Sequence, residues 1–219
     1  MPGSIIGWRN SERWVRRNVD KDNQTMQTGD FEKIYDLWIH TEGMGLNLTR
    51  RLYMENLIVR YAKREELESV NNIRKQVNEV HVKGRPDIFR EDGWQFIEPF
   101  VYTRFDEENS GVIVADVEDE IVGFAVVQYI VRPESPYNKE RRYSHIEEFG
   151  VDEKHRRKGI AAAMIDFIKE DAKNRGFKRI ELDMWEFNDG ALAFYENAGL
   201  KTYRRYMESD TDTEEGNRT

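Results

Sequence analysis

The sequence predicts an α/β fold, a central sheet with antiparallel and parallel parts packed against helices. Three observations carry this. From Asn56 onward the spacing of apolar residues switches between two and three-to-four, in the order β-α-α-β-β-β-α-β-α-β. Residues 111–115 and 121–129 are two apolar runs joined across the acidic Glu118-Asp119-Glu120, the pattern of a tight turn between strands. Further on, strand and helix patterns alternate, with Gly159, Gly176 and Gly199 as punctuation.

Each element follows from its residues. Residues 57–61 read as a strand. Residues 64–82 read as a helix, with Leu67, Val70, Ile73, Val77 and Val80 on one stripe. Gly84-Arg85-Pro86-Asp87 breaks that helix, and a second helix or loop crosses 94–105. After the 111–129 pair, Pro133 and Pro136 mark a loop, and 143–151 form the next strand. Gly159 opens an alanine-rich helix through Lys173, stopped by Asn174-Arg175-Gly176. Residues 177–185 alternate as a strand, 189–197 form a short helix ending at Gly199, and 202–207 form a last strand. Upstream, Gly29-Asp30 caps a helix carrying Phe31, Ile34, Leu37 and Trp38, which ends at the glycines of 42–45.

Composition narrows the function. Hydrophobic residues at 38% and aromatic residues at 12% suffice for a core. No run of about 18 apolar residues offers a membrane span, and Met1-Pro2-Gly3-Ser4 lacks an export pattern, so a cytoplasmic protein is expected. The absence of cysteine removes disulfides, thiol catalysis and zinc–thiolate sites. The net charge of -8 is concentrated at the end, where residues 208–218 hold five acids and one arginine. Arg13, Arg16 and Arg17 make only a small basic cluster, so no nucleic-acid partner is expected. An acidic body suits a cationic small molecule.

The chemistry is written most densely at Val151-Asp152-Glu153-Lys154-His155-Arg156-Arg157-Lys158-Gly159-Ile160-Ala161. A strand ends, a basic turn follows, and small residues open a helix. Unpaired amides and the helix dipole at such a junction favour a phosphate. Gly159 and Ala161 leave the backbone accessible. The same residues also suit an ordinary strand-to-helix turn with solvated cations. Three glycines in G-x-G-x-x-G are missing, as is the G-x-x-x-x-G-K-[ST] of a Walker loop.

Arg156-x-x-Gly159-x-Ala161 resembles the R/Q-x-x-G-x-G/A pyrophosphate loop of the GNAT superfamily of N-acetyltransferases. A second stretch, from Asn188 through Ala191, Phe194 and Tyr195 to Gly199-Leu200, resembles that family's N-x-x-A-x-x-F-Y-x-x-x-G-F/L. The resemblance covers residues 56–207. It implies a GNAT (acyl-CoA N-acyltransferase) fold, with a mixed sheet splayed between its fourth and fifth strands and helices on both faces. It implies acetyl-CoA as cosubstrate, with the backbone of Phe149, Gly150 and Val151 on the pantetheine arm. Arg156, Arg157, Lys158, Gly159, Ile160, Ala161 and Ala162 would wrap the pyrophosphate, and Asn188 would contact the arm. Tyr195 would lie near the thioester sulfur and protonate the leaving thiolate; a phenol of pKa about 10 has that proton to give at neutral pH. Packing beside Phe194 is its structural alternative.

Ile146-Glu147-Glu148-Phe149-x-Val151 looks like the L-E-D-F/L-x-V of small-amine and polyamine GNAT enzymes. By that match Glu147 is the base or holds its water, and Glu148 helps bind a cationic amine. Strand alternation sends the two acids to opposite faces unless a bulge intervenes, and a solvated strand face is the alternative for each. His145 shares the parity of Glu147, and no second histidine is spaced to make a metal site. The loop 81–89, Trp185-Glu186-Phe187, Tyr203 and Tyr206 are candidate linings of the acceptor pocket. Three segments are expected: a partly helical N-terminal extension (1–54) resembling a truncated GNAT opening, the acetyltransferase domain (55–207), and an acidic flexible tail (208–219). Homodimer packing is the expected use of the extension, with disorder as the alternative. The activity implied is acetyl transfer to a primary amine on a small cationic acceptor. A protein N-terminus or lysine as acceptor, or a non-catalytic acyl-CoA-binding regulatory module, are the alternatives.

Overall fold

The computed structural model describes residue 54 and residues 56–211. All lie in the second of two units, residues 50–219. The helix read at Phe31–Trp38, the Arg13 cluster and the dimer-packing role fall outside the described residues, as do 212–219.

Five strands make one sheet in the order β1-β2-β3-β4-β5: β1 (Leu57–Tyr61), β2 (Ser110–Val117), β3 (Glu120–Arg132), β4 (Arg141–Val151) and β5 (Ile180–Leu182). The first four pair antiparallel and β5 joins β4 in parallel. Alternation along β2 and β3 divides the apolar side chains between two cores. Val112, Val114, Phe124 and Val126 face α1 (Leu67–Gly84) and α3 (Phe100–Asp106), meeting Leu67, Val70, Ile73 and Val101. Ile113, Ala115, Ala125 and Val127 face the other way, against Ile160, Met164, Ile165 and Ile168 of α4 (Ile160–Asn174). Two-sided burial explains the near-continuous apolar runs in these strands. A short helix α2 (Trp94–Ile97) precedes α3, and α5 (Asp189–Asn197) follows β5.

The tight turn sits where the acidic triplet placed it, with Glu118 and Asp119 both at positive φ, as a two-residue hairpin of this hand requires. Two expected strands change. The run 177–185 shortens to Ile180–Leu182, because the chain leaves β4 after three paired residues. Residues 202–207 form no strand. All six are exposed, and Thr202-Tyr203-Arg204-Arg205-Tyr206 offers no apolar side to hold an edge strand against a core.

The sheet opens between β4 and β5. Parallel pairing joins Ser144, His145 and Ile146 to Ile180, Glu181 and Leu182, and then stops. From Glu147 onward the β4 backbone has no strand on its β5 side among the described residues. Phe149, Gly150 and Val151 therefore line an open edge, and this splay positions the site.

Candidate active site at the splay

β4 carries a bulge at the splay. Val127 pairs with Ile146 and Val126 with Glu148, leaving Glu147 as the extra residue. This bulge is the exception named for the opposite-faces expectation, because an inserted residue shifts the alternation by one. Glu147 and Glu148 both turn toward the α1–α3 side, where each meets an arginine. Arg74, 2% exposed, donates through Nε and Nη2 to Glu148 at 2.5 and 2.8 Å. Arg104 donates to Glu147 Oε1 at 2.7 Å and to Glu107 at 2.6 Å. Its Nε lies 2.7 Å from Glu147 Oε2 but off the N–H axis, so this contact supplies charge and leaves Oε2 without a hydrogen bond. The Phe100 ring takes the planes of both guanidinium groups, 5.5 and 4.9 Å from its centroid.

Arg74 also donates to the carbonyls of Ile97 and Glu98 at 3.0 and 3.2 Å and to Asn71 Oδ1 at 2.6 Å. The carbonyls that end α2 have no helical acceptor role of their own, and Arg74 satisfies them while holding Glu148. Arg74→Leu is therefore expected to destabilise the fold by about 3 kcal/mol, the usual cost of stranding one member of a buried pair. Adding Glu148→Leu should recover part of that loss. Chemical denaturation of the single and double variants checks it; an unchanged midpoint for Arg74→Leu would remove the pair from the account.

Beyond β4, Asp152 opens a 3-10 turn (Glu153–His155) by accepting from Lys154 N at 2.9 Å. Gln76 of α1 donates to Asp152 at 2.8 Å and accepts from Glu153 N at 3.1 Å, tying the loop to the helix. Burial works to raise the Asp152 pKa, but the hydrogen bonds from Gln76 and Lys154 outweigh it and leave it lowered. Arg156 folds back, its Nε donating to Val151 O at 3.1 Å. Arg157 and Gly159 are left-handed, with φ 64° and 100°. Such turns leave successive amides on one concave side. The first backbone bond to Gly159 O comes from Ala163 N at 3.1 Å, so the amides of Ile160, Ala161 and Ala162 have no acceptor within α4. Arg157 is exposed, and Lys158 is half-buried beside it. The loop can hold a diphosphate.

Asn188 is the N-cap of α5, its Oδ1 accepting from Ala191 N at 3.1 Å. That places Tyr195 against the splay, edge-on to Phe149 with centroids 6.2 Å apart and tilted on Phe194 at 5.2 Å. Burial pushes the Tyr195 phenol up to about 12. The hydroxyl makes no hydrogen bond to another described residue.

On the α1 side, four rings expected as lining come together. His81 stacks on Phe89 at 5.3 Å, Phe89 meets the edge of Trp185 at 5.3 Å, and Trp185 stacks on Phe187 at 6.4 Å. Gly84 permits this: a Cβ there would stand 2.2 Å from the Phe187 ring. Burial lowers the His81 pKa, and the charge of Glu148 opposes the shift. Arg85 covers Trp185 at 5.4 Å while paired with Asp87 and Glu208 at 2.7 and 2.8 Å. Tyr206 is not part of this group and is 79% exposed, and Tyr203 instead donates to Glu181 at 2.8 Å. His145 stands 3.6 Å from Asp183, and no metal-ligating cluster occurs among the described residues.

Sequence reasoning missed Arg74, Gln76 and Arg104. Arg74 had a signal: it falls seven residues after Leu67, within the apolar stripe of α1, where a cation requires a buried acid.

The acetyltransferase (GNAT) family model matches residues 76–200. N-acetyltransferase 8 from Homo sapiens is 30% identical over 95 residues, 43% of this chain and 40% of the human protein. The match thus spans less than half of that relative. Among solved structures, a tetramutant of the BH1408 protein from Bacillus halodurans superposes with a TM-score of 0.67 at 30% identity, over 70% of this chain and 99% of that one. Aminoglycoside N-acetyltransferase AAC(6')-Iy in complex with CoA superposes with a TM-score of 0.53 at 17% identity, over 72% and 95% of the two chains, and shares the fold. No helix among the described residues is long and apolar enough to cross a membrane.

Proposed function

Because this chain belongs to the acetyltransferase (GNAT) family, and so is an acyltransferase using acetyl-CoA, we propose that it acetylates the primary amine of a small cationic acceptor by direct transfer. The residues present fit the donor. The open edge of Phe149, Gly150 and Val151 offers backbone groups to the pantetheine arm. Arg156, Arg157, Lys158 and the amides of residues 159–162 suit the pyrophosphate, and Asn188 suits the arm through its side-chain nitrogen. Bound there, acetyl-CoA supplies the thioester carbonyl that the amine attacks.

The protein's own groups then manage protons. A cationic amine must lose a proton before it can attack. Glu147 is the acceptor, directly or through a water, its carboxylate held by the Arg104 guanidinium at 2.7 Å. Arg104 and Gln128 fix its position, the Gln128 amide oxygen taking a hydrogen bond from Arg104 at 2.9 Å when oriented toward it. Glu148 presents its partly exposed carboxylate to the cationic body of the acceptor. The rings of His81, Phe89, Trp185 and Phe187 form the apolar wall. Tyr195, its phenol protonated and its hydroxyl without a hydrogen bond to another described residue, returns a proton to the thiolate.

The bulge at Glu147 carries this reading, because it brings two carboxylates to one side of the sheet at the splay. The reading includes a cytoplasmic setting, which the lack of cysteine suits, and a homodimer, tested by sedimentation velocity. The test of function is thiol release by the purified chain with acetyl-CoA and a panel of diamines, amino acids and peptides. Turnover of diamines with Glu147→Gln slowed about a hundredfold is the expected outcome. Turnover confined to peptide termini or lysine side chains would overturn the small-amine acceptor. Donor binding with no turnover of any amine would leave a binding module.

A further inference from the structure

A second concave surface lies at the closed end of the β4–β5 pair, away from the splay. It is a cavity of about 530 Å³ whose wall includes Lys139, Arg141, Arg142, Lys178 and Arg179, with Glu140 the one acid. Five cations to one acid reverses the balance of a chain whose net charge is -8. Two of the five are engaged. Arg141 pairs with Glu181 at 2.5 Å, and Arg142 lies over the Phe177 ring at 5.6 Å. The side chains of Lys139, Lys178 and Arg179 make no hydrogen bond or ion pair with another described residue, and all three are exposed.

Ser144 N donates to Arg179 O at 2.9 Å, joining β4 to the segment before β5. At the rim, Tyr203 is held by its bond to Glu181. Like charges gathered around one concavity repel, and their fields add within it. An anion of two or more charges relieves that repulsion. Guanidinium forks and ammonium groups together match phosphoryl oxygens. The volume lies within the range of small-molecule sites and exceeds the needs of one phosphate.

We propose that this cavity binds a small phosphorylated anion carrying at least two negative charges. It is a site separate from residues 156–162, which lie at the other end of β4, and it does not depend on the acceptor assigned above.

The test is calorimetric titration of inorganic tripolyphosphate into the full chain saturated with CoA, which keeps the pyrophosphate loop filled. Saturable one-to-one binding is expected at low ionic strength. Lys178→Glu with Arg179→Glu should weaken it about a hundredfold, the loss of two charge-assisted contacts. Lys75→Glu, an exposed position on α1, should change it little. Three results overturn the proposal: no saturable binding, an equal loss with Lys75→Glu, or a parallel loss of CoA affinity in the Lys178→Glu, Arg179→Glu variant.

Discussion

Tyr195→Phe is expected to lower kcat about a hundred- to a thousandfold, the contribution of a positioned general acid, while leaving the acetyl-CoA dissociation constant within about twofold. The ring packs on Phe149 and Phe194, and phenylalanine keeps those contacts. The hydroxyl has no partner among the described residues, so its removal strands no buried group. In the proposed mechanism, what is lost is the proton for the leaving thiolate. The pH dependence separates this from a packing role. A phenol pushed from 10 to about 12 by burial stays protonated through the whole range in which the enzyme can be assayed. Tyr195 therefore gives the wild-type rate no alkaline limb below about pH 11. The same shift bears on stability: a raised folded pKa favours the native state below pH 10, and the contribution fades as pH rises through 10 to 12. Stopped-flow rates with matched calorimetry check the first claim. An unchanged kcat in Tyr195→Phe would assign the proton to solvent.

Gly159→Leu is expected to raise the acetyl-CoA dissociation constant about a hundredfold or more. The backbone there has φ 100°, a conformation side chains rarely adopt, at a cost of about 1–3 kcal/mol. A branched side chain would also crowd the neighbouring amides of Ile160, Ala161 and Ala162, the proposed seat of the diphosphate. The helix behind it is anchored by Ile160, Met164, Ile165 and Ile168, so the fold should survive. Thermal melting of the variant, alongside CoA titration, distinguishes lost binding from lost folding. Full affinity in a folded Gly159→Leu protein would move the phosphate site elsewhere.

Much of the fold was legible because β2, β3, α1 and α4 are read by periodicity alone. The Val112–Val127 strands are buried on both faces, and the stripe of Leu67, Val70 and Ile73 has one face to bury. The ends of the sheet were less legible. β5 stops at Leu182 because of the splay, a tertiary event that the alternation of Ile180, Leu182 and Met184 does not encode. Residues 202–207 have β-forming side chains but nothing to bury. In the site, the turn at Gly159 was readable because a basic stretch followed by small residues marks a strand-to-helix junction, and the helix does start at Ile160. Arg104 was not, since a cation reads as solvent-facing until its burial is known, whereas the place of Arg74 on the apolar stripe of α1 was a signal passed over. Nor was the bulge visible: an extra residue in a strand leaves no mark on composition, and only pairing with Val126 and Val127 exposes it.

That bulge makes the length of β4 a functional quantity in its own right. Downstream of it Phe149 and Val151 point toward α4. Gly150 turns to α1, where an added Cβ would stand 2.7 Å from Val77 and 2.8 Å from Phe124. Removing Glu147 would close the bulge into an unbroken ladder, with Ile146 and Glu148 opposite Val127 and Val126 as they stand now. Phe149, Gly150 and Val151 would keep their faces, the space at Gly150 would stay open, and the chain would enter the Arg156 loop as before. The inserted residue is a spare rung: the sheet closes without it, and what it adds is a second acid on one side.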